Sequence, residues 1–352
     1  MIARHRNKTL TINGHEIPPG SRAKLQLPVS TLYTNSPVEV PLRVINGRQP
    51  GPTLFISGAV HGDELNGIEI IRRLLAAPAV KRLKGALLAA PMVNVLGVMH
   101  KSRYLPDRRD LNRSFPGSPE GSMASRLAHL FCEEVLTHAQ YGIDLHTAAI
   151  HRDNFPQIRA DLDDAETLDL AKAFGAPVML NAGTPEGSLR GAAVARNVKV
   201  MVYEAGEALR YDEIAINVGV NGILNVMRAL GMLPTSRSRK KRHDPIIARS
   251  STWIRANTSG LLRVQAALGS VVKRGQVLGN ITGPFHDDDH EVKAPFGGII
   301  IGRSNIPLIH EGEAMFHIAR FEKPGELDKR LENLKSTFAD DDPLTTSEPP
   351  IV

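Results

Sequence analysis

Three observations predict an α/β protein, with a mixed sheet flanked by helices and a small all-β domain behind it. Between about residues 51 and 234, short apolar runs of strand length alternate with helical patterns. His61 and Glu64 follow one apolar run and His146 ends another, so all three stand where a strand gives way to a loop. In open α/β sheets chemistry collects at the carboxyl ends of strands. Beyond residue 245 the texture changes, and glycines at 260, 269, 275, 279, 283, 297, 298, 302 and 312 punctuate short β-rich runs.

The elements follow in order. Residues 1–50 form a β-rich segment packing on the catalytic domain, with short strands at 9–12, 24–29 and 38–45. A strand is expected at 54–57. A helix follows over 64–75, with Leu65, Ile68, Ile71 and Leu75 on one face. Further strands fall at 86–91, 143–145, 178–180 and 198–203, and further helices at 122–138, 164–174, 188–196 and 213–230. The α/β domain thus spans 51–234. Residues 235–245 read as a basic linker, because Arg237, Arg239, Lys240, Lys241 and Arg242 repel one another and keep the segment extended. The β domain covers 246–322, and 323–352 reads as a charged, partly disordered tail.

Composition narrows the function. The chain has 352 residues, 42% hydrophobic and 23% charged, enough for a sizeable core. No apolar run is long enough to span a bilayer. No signal core follows the N-terminal basic residues. The single cysteine, Cys132, forbids an internal disulfide and sits in a helical pattern as a packed thiol. A cytoplasmic compartment is the expectation. The net charge of +6 comes largely from the linker. No nucleic-acid-binding signature accompanies it, so neither nucleic acid nor membrane is expected as a partner. A homo-oligomer is compatible with all of this.

His61 and Glu64 in HGDE and His146 in DLHT supply two imidazoles and a carboxylate, the donor set of a catalytic zinc site with an open position. One zinc ion per chain is expected. Hydrolysis also needs a base, and Glu204 at the end of an apolar strand is the candidate, with Glu207 competing. Arg103 and the loop at 110–117 offer guanidinium groups, which suit a carboxylate or an oxyanion. Arg108 and Arg109 read as surface residues.

The order and strand context of HGDE at 61–64, DLNR at 110–113, DLH at 144–146 and YEAGE at 203–207 resemble the succinylglutamate desuccinylase/aspartoacylase family, which is related to zinc carboxypeptidases. The resemblance covers about 44–233. It implies a zinc carboxypeptidase-like fold, with His61, Glu64 and His146 on zinc, Glu204 as general base and then acid, and Arg103 as oxyanion donor. It also implies that Asn112 and Arg113 hold a substrate carboxylate, with Arg190 as a further anchor. The implied activity is zinc-dependent deacylation of a small N-acyl amino acid or related N-acyl amine. A zinc carboxypeptidase acting on short peptides and a non-catalytic metal- or ligand-binding relative are the alternatives. Residues 271–279 and 292–298 resemble biotinyl/lipoyl barrel-sandwich domains, but Lys293 abuts Ala-Pro instead of occupying a hairpin tip, so no prosthetic arm is expected. The HDDDH segment at 286–290 reads as an exposed acidic turn, with a second metal as its alternative. The β domain is expected to border the active site or an oligomer interface.

Overall fold

In Pro37–Asn46 the residues Val38, Val40, Leu42 and Val44 are buried while Glu39, Pro41 and Arg43 between them are half-buried, the period-two pattern of a strand with one face on a core. Thr53–Gly58 and Ala86–Ala90 are buried at every position, as strands covered on both faces must be. These strands belong to one large sheet. The computed structural model describes residues 6–235, 245–285 and 289–320.

Along the sheet the order is Ser250–Arg255, Ala314–Arg320, Gly298–Ser304, Arg152–Ala160, Lys199–Gly206, Tyr141–His146, Thr53–Gly58, Ala86–Ala90, Pro37–Asn46 and Arg22–Thr31. The four strands from Lys199–Gly206 to Ala86–Ala90 run parallel to their neighbours in that run. Antiparallel strands extend the sheet on both sides. Arg22–Thr31 and Pro37–Asn46 therefore continue the sheet itself, while Leu10–Ile12 and His15–Ile17 pair as a separate two-stranded sheet.

Helices cover both faces. Asn66–Ala76, Ala165–Phe174 and Glu213–Ala229 pack on one side around Ile71, Leu74, Phe174, Tyr203 and Ile223. Met123–Glu134 and Leu189–Val194 pack on the other around Phe55, Phe131 and Leu189. Cys132 lies in this second core, buried and free, and burial pushes its thiol up to about 11. The first helix corrects the expected face. Ile70, Ile71 and Leu74 are its buried apolar residues, whereas Leu65, Ile68 and Leu75 are half-buried. The helix also starts two residues late, because the preceding residues form the loop that carries Glu64.

The C-terminal strands make a separate, four-stranded sheet of Asp289–Lys293, Val277–Thr282, Gly260–Val264 and Leu308–Ile309. It shares an apolar core of Leu262, Leu278, Ile281, Met315, Phe316 and Ile318 with strands that belong to the large sheet. The junction runs through Gly298–Ser304, which pairs antiparallel with Arg152–Ala160. The basic segment at 237–242, positions 286–288 of the acidic turn and the tail from 321 lie outside the described residues. Among those described, no helix is long and apolar enough to cross a membrane. Lys293 is exposed at the end of its strand and pairs with Glu291 at 2.6 Å.

Candidate active site

Three parallel strands deliver the site. Thr53–Gly58 leads into the loop holding His61 and Glu64, Tyr141–His146 ends on His146, and Lys199–Gly206 carries Glu204 directly beside His146 in register. All four side chains therefore reach the carboxyl edge of one sheet. Two glycines allow this. A Cβ on Gly62 would stand 2.0 Å from the backbone of Gly97, so only glycine lets the loop pack there. Gly206, with φ at +78°, turns the chain sharply after Glu204. Asn66 joins the two loops: its amide donates to the Ala205 carbonyl at 3.1 Å and its Oδ1 accepts from Asp212 N at 3.1 Å.

His61, Glu64 and His146 are buried, and their ligand atoms lie within 4.8 Å of one another. His61 Nδ1 is 2.6 Å from Glu64 Oε1, and His146 Nδ1 is 2.7 Å from Glu64 Oε2. The opposite ring nitrogens are each held by a carboxylate. His146 Nε2 meets Asp144 Oδ2 at 2.8 Å, and His61 Nε2 meets Asp110 Oδ1 at 3.2 Å. Ser57 Oγ donates to Asp144 at 2.7 Å and fixes it in turn. Carboxylate backing of this kind orients a metal-binding imidazole and leaves the inner nitrogen as the donor. The donor set and its support therefore fit a metal ion. Burial pulls the His146 imidazole down, but the charges and hydrogen bonds of Asp144 and Glu64 outweigh it and hold it well above its ordinary value. His61 shifts upward too: burial again opposes, and Glu64 and Asp110 prevail. Burial pushes Glu64 up, yet the two imidazoles hold it below the usual carboxylate range.

A cavity of about 410 Å³ opens over these residues. Arg103, Asn112, Arg113, Arg190 and Glu204 line it together with His61, Glu64 and His146. Arg103 faces Glu64 at 3.5 Å and grips Asp110 with Nη2 at 3.0 Å. Asp110 thus binds His61, Arg103 and the Asn112 backbone N–H together. Asn112 Oδ1 accepts from Leu189 N at 2.9 Å. Arg113 is exposed and bonds to the Asn112 carbonyl at 2.6 Å. Arg190 is buried. It donates to the Gly183 carbonyl, while its Nε and Nη1 have no partner among the described residues. Burial and the charge of Arg159 lower its pKa. Arg108 and Arg109 are exposed and do not line the cavity.

Glu207 is occupied elsewhere. Its Oε1 accepts from His151 N at 3.0 Å and its Oε2 from Asn305 at 3.0 Å, which clips two loops together. Glu204, not Glu207, lines the cavity. Sequence reasoning missed Arg152, Asn154 and Arg159, which come from a strand it did not anticipate, and Trp253 from the C-terminal region. The Trp253 ring stacks on His317 at 4.6 Å, and the Arg152 guanidinium sits 5.2 Å from its centroid. The C-terminal strands thus contribute Trp253 to the cavity lining.

Residues 50–230 match the succinylglutamate desuccinylase/aspartoacylase catalytic domain, about half of the chain. The chain belongs to this family. It is 31% identical over 271 residues to the N-alpha-acetyl-L-2,4-diaminobutyric acid deacetylase of Halomonas elongata, an alignment covering 73% of this chain and 78% of that enzyme. It is 35% identical over 136 residues to the succinylglutamate desuccinylase of Photorhabdus laumondii, covering 34% of this chain and 41% of the relative. Among solved structures, a succinylglutamate desuccinylase/aspartoacylase from Rhodobacter sphaeroides superposes with a TM-score of 0.75 at 27% identity, covering 86% of this chain and 96% of the other. The ectoine utilization protein EutE (DoeB) from Ruegeria pomeroyi, in a product-bound structure, shares the fold with a TM-score of 0.75 at 24% identity, over 91% of this chain and 98% of that one. The named enzymes among these relatives are deacylases.

Proposed function

We propose that this protein is a zinc-dependent amidohydrolase that removes the acyl group from a small N-acyl amino acid. The observation that carries the proposal is the buried His61–Glu64–His146 group, with both imidazoles backed by carboxylates, in one cavity with Glu204 and Arg103. Zinc suits two imidazoles and a carboxylate, and when bound it acidifies water and polarises a carbonyl. Glu204 takes a proton from the attacking water and returns it to the departing amine. Arg103, aligned by Asp110 beside Glu64, donates to the oxyanion that develops on the acyl oxygen. Asn112, with its Oδ1 already engaged, turns its amide N–H groups to a substrate carboxylate, alongside Arg113. Arg190 offers buried guanidinium donors as a further anchor. The cavity volume lies in the range of small-molecule sites, about 300–1,000 Å³, which favours a compact substrate over a peptide. A cytoplasmic enzyme is part of the same proposal and rests on the lone, buried cysteine.

The test is a mass-spectrometric screen of N-acyl amino acids with the zinc-loaded protein. The panel includes N-acetyl-2,4-diaminobutyrate and N-succinylglutamate, the compounds named by the relatives. Release of free amine that stops on chelation and returns with zinc is expected. Stoichiometric metal without hydrolysis of any member of the panel would overturn the enzymatic reading.

A further inference from the structure

We infer that Asn154 is a positioning residue for Glu204, and that the C-terminal β region sets Asn154 in place. The inference rests on Glu204 being the base proposed above. Asn154 Nδ2 donates to Glu204 Oε2 at 2.7 Å. The other carboxylate oxygen faces Arg159 Nη1 at 3.6 Å, beyond hydrogen-bonding distance. The neutral amide is therefore the closest group fixing the carboxylate. Asn154 is buried and lines the same cavity as the proposed metal ligands. A general base works only when its reacting oxygen is held within hydrogen-bond reach of the water. A carboxylate at a strand end, next to a glycine turn, needs a partner to stop it rotating.

The partner is itself held from outside the catalytic core. Asn154 stands in register with Gly206 on one side and with Gly302 on the other. Gly302 belongs to Gly298–Ser304, the strand that joins the C-terminal β region to the large sheet. A Cβ at position 302 would meet Asn154 Oδ1 at 2.9 Å and His317 Cβ at 3.2 Å. The nearest atom it displaces is thus the very amide that grips Glu204. The absence of a side chain at 302 leaves the space in which the Asn154 amide sits. Gly302, Asn154 and Glu204 form a direct chain of contact from the β region to the base. The C-terminal region accordingly takes part in catalysis through geometry, in addition to walling the cavity with Trp253.

Asn154→Ala and Asn154→Asp remove the donor, the second without loss of volume. In steady-state assays with the best substrate of the screen, normalised to bound zinc, both should lower kcat by about 10–100-fold with KM within twofold, a part of the roughly 10²–10⁴-fold that general base catalysis contributes. Gly302→Ala should lower kcat in the same sense while zinc content stays at one per chain. The decisive arm is the double variant. On a Glu204→Gln background, Asn154→Ala should add no further loss, because its effect passes through the carboxylate. Multiplicative losses in the double variant, or unchanged kcat in zinc-replete Asn154→Ala, would overturn the positioning role. Should Gly302→Ala fold poorly, the Asn154 variants still decide. The underlying reading fails separately: full turnover by Glu204→Gln would dismiss Glu204 as the base whatever Asn154 does.

Discussion

His61, His146, Arg103 and Glu204 are each fixed by a second side chain, and the consequences can be measured residue by residue. Asp144 accepts from Ser57 and orients His146 from the ring nitrogen opposite Glu64. Replacing it with Asn keeps the shape but removes the charge. Metal affinity is expected to fall by about 10–100-fold, the usual cost of losing such backing. Chelator competition on Asp144→Asn measures this, and unchanged affinity would detach Asp144 from the metal. Glu204 has the opposite profile. It lines the cavity but lies outside the His61–Glu64–His146 group, so Glu204→Gln should keep the metal and lose roughly 10²–10⁴-fold in kcat. Retained metal with retained turnover would require another base. Asp110 makes the least obvious contribution, because it serves His61, Arg103 and the Asn112 backbone at once. The DLNR motif displayed Asp110 openly. Its role needed the fold, since His61 lies far away in sequence.

At the scale of elements, helix caps show what sequence can reveal and where it stops. Asp164 caps Ala165–Phe174 by accepting from Thr167 N at 2.9 Å, and it also binds Lys199 Nζ at 2.6 Å on the strand leading to Glu204. The Lys199 bond, followed by the bonds from Thr167, lowers its carboxyl to about 2. A carboxylate depressed on folding contributes stability that is present above its unfolded value near 4 and is lost as pH falls through about 2. Asp164→Ala should therefore cost about 1 kcal/mol near neutral pH, the typical value of a lost cap. Urea unfolding at several pH values checks it: the deficit should shrink between about pH 4 and pH 2, and a deficit independent of pH would show that the carboxylate charge and its Lys199 pair contribute nothing. The helix itself was legible from its period, as were the strands carrying His61, His146 and Glu204. Arg152–Ala160 was not. Its sequence, RDNFPQIRA, opens with charged and polar residues and contains a proline. It is a strand because Lys199–Gly206 and Gly298–Ser304 flank it on both sides. Asn154 and Arg159, which it brings into the cavity, were hidden for the same reason.

For the whole molecule, the sequence suggests two domains joined by a basic linker, and one sheet draws strands from both sides of that linker. Glycine spacing marks the change in texture near residue 246, but pairing between residues some 150 positions apart leaves no local trace. Val178, Leu180, Ile246, Ala248, Ile299, Ile301 and Ala319 form one apolar cluster with contributions from both sides of the linker. Gln157, fully buried, donates to the Ile301 carbonyl at 3.1 Å across the same junction. Removing everything after residue 234 would strip Ile246, Ile299 and Ile301 from this cluster, and each buried aliphatic side chain contributes about 1.5–3 kcal/mol. Net stability of a protein is only about 5–15 kcal/mol. The cut would also unpair residues 152–154 of Arg152–Ala160 and the outer edge of Val178–Asn181, and unpaired strand edges invite aggregation. The intact protein should therefore unfold in one cooperative calorimetric transition, and the chain ending at 234 should lose that transition or precipitate. Two separate transitions in the full chain, or a truncated chain melting at the full-length temperature, would show that the sheet junction adds little.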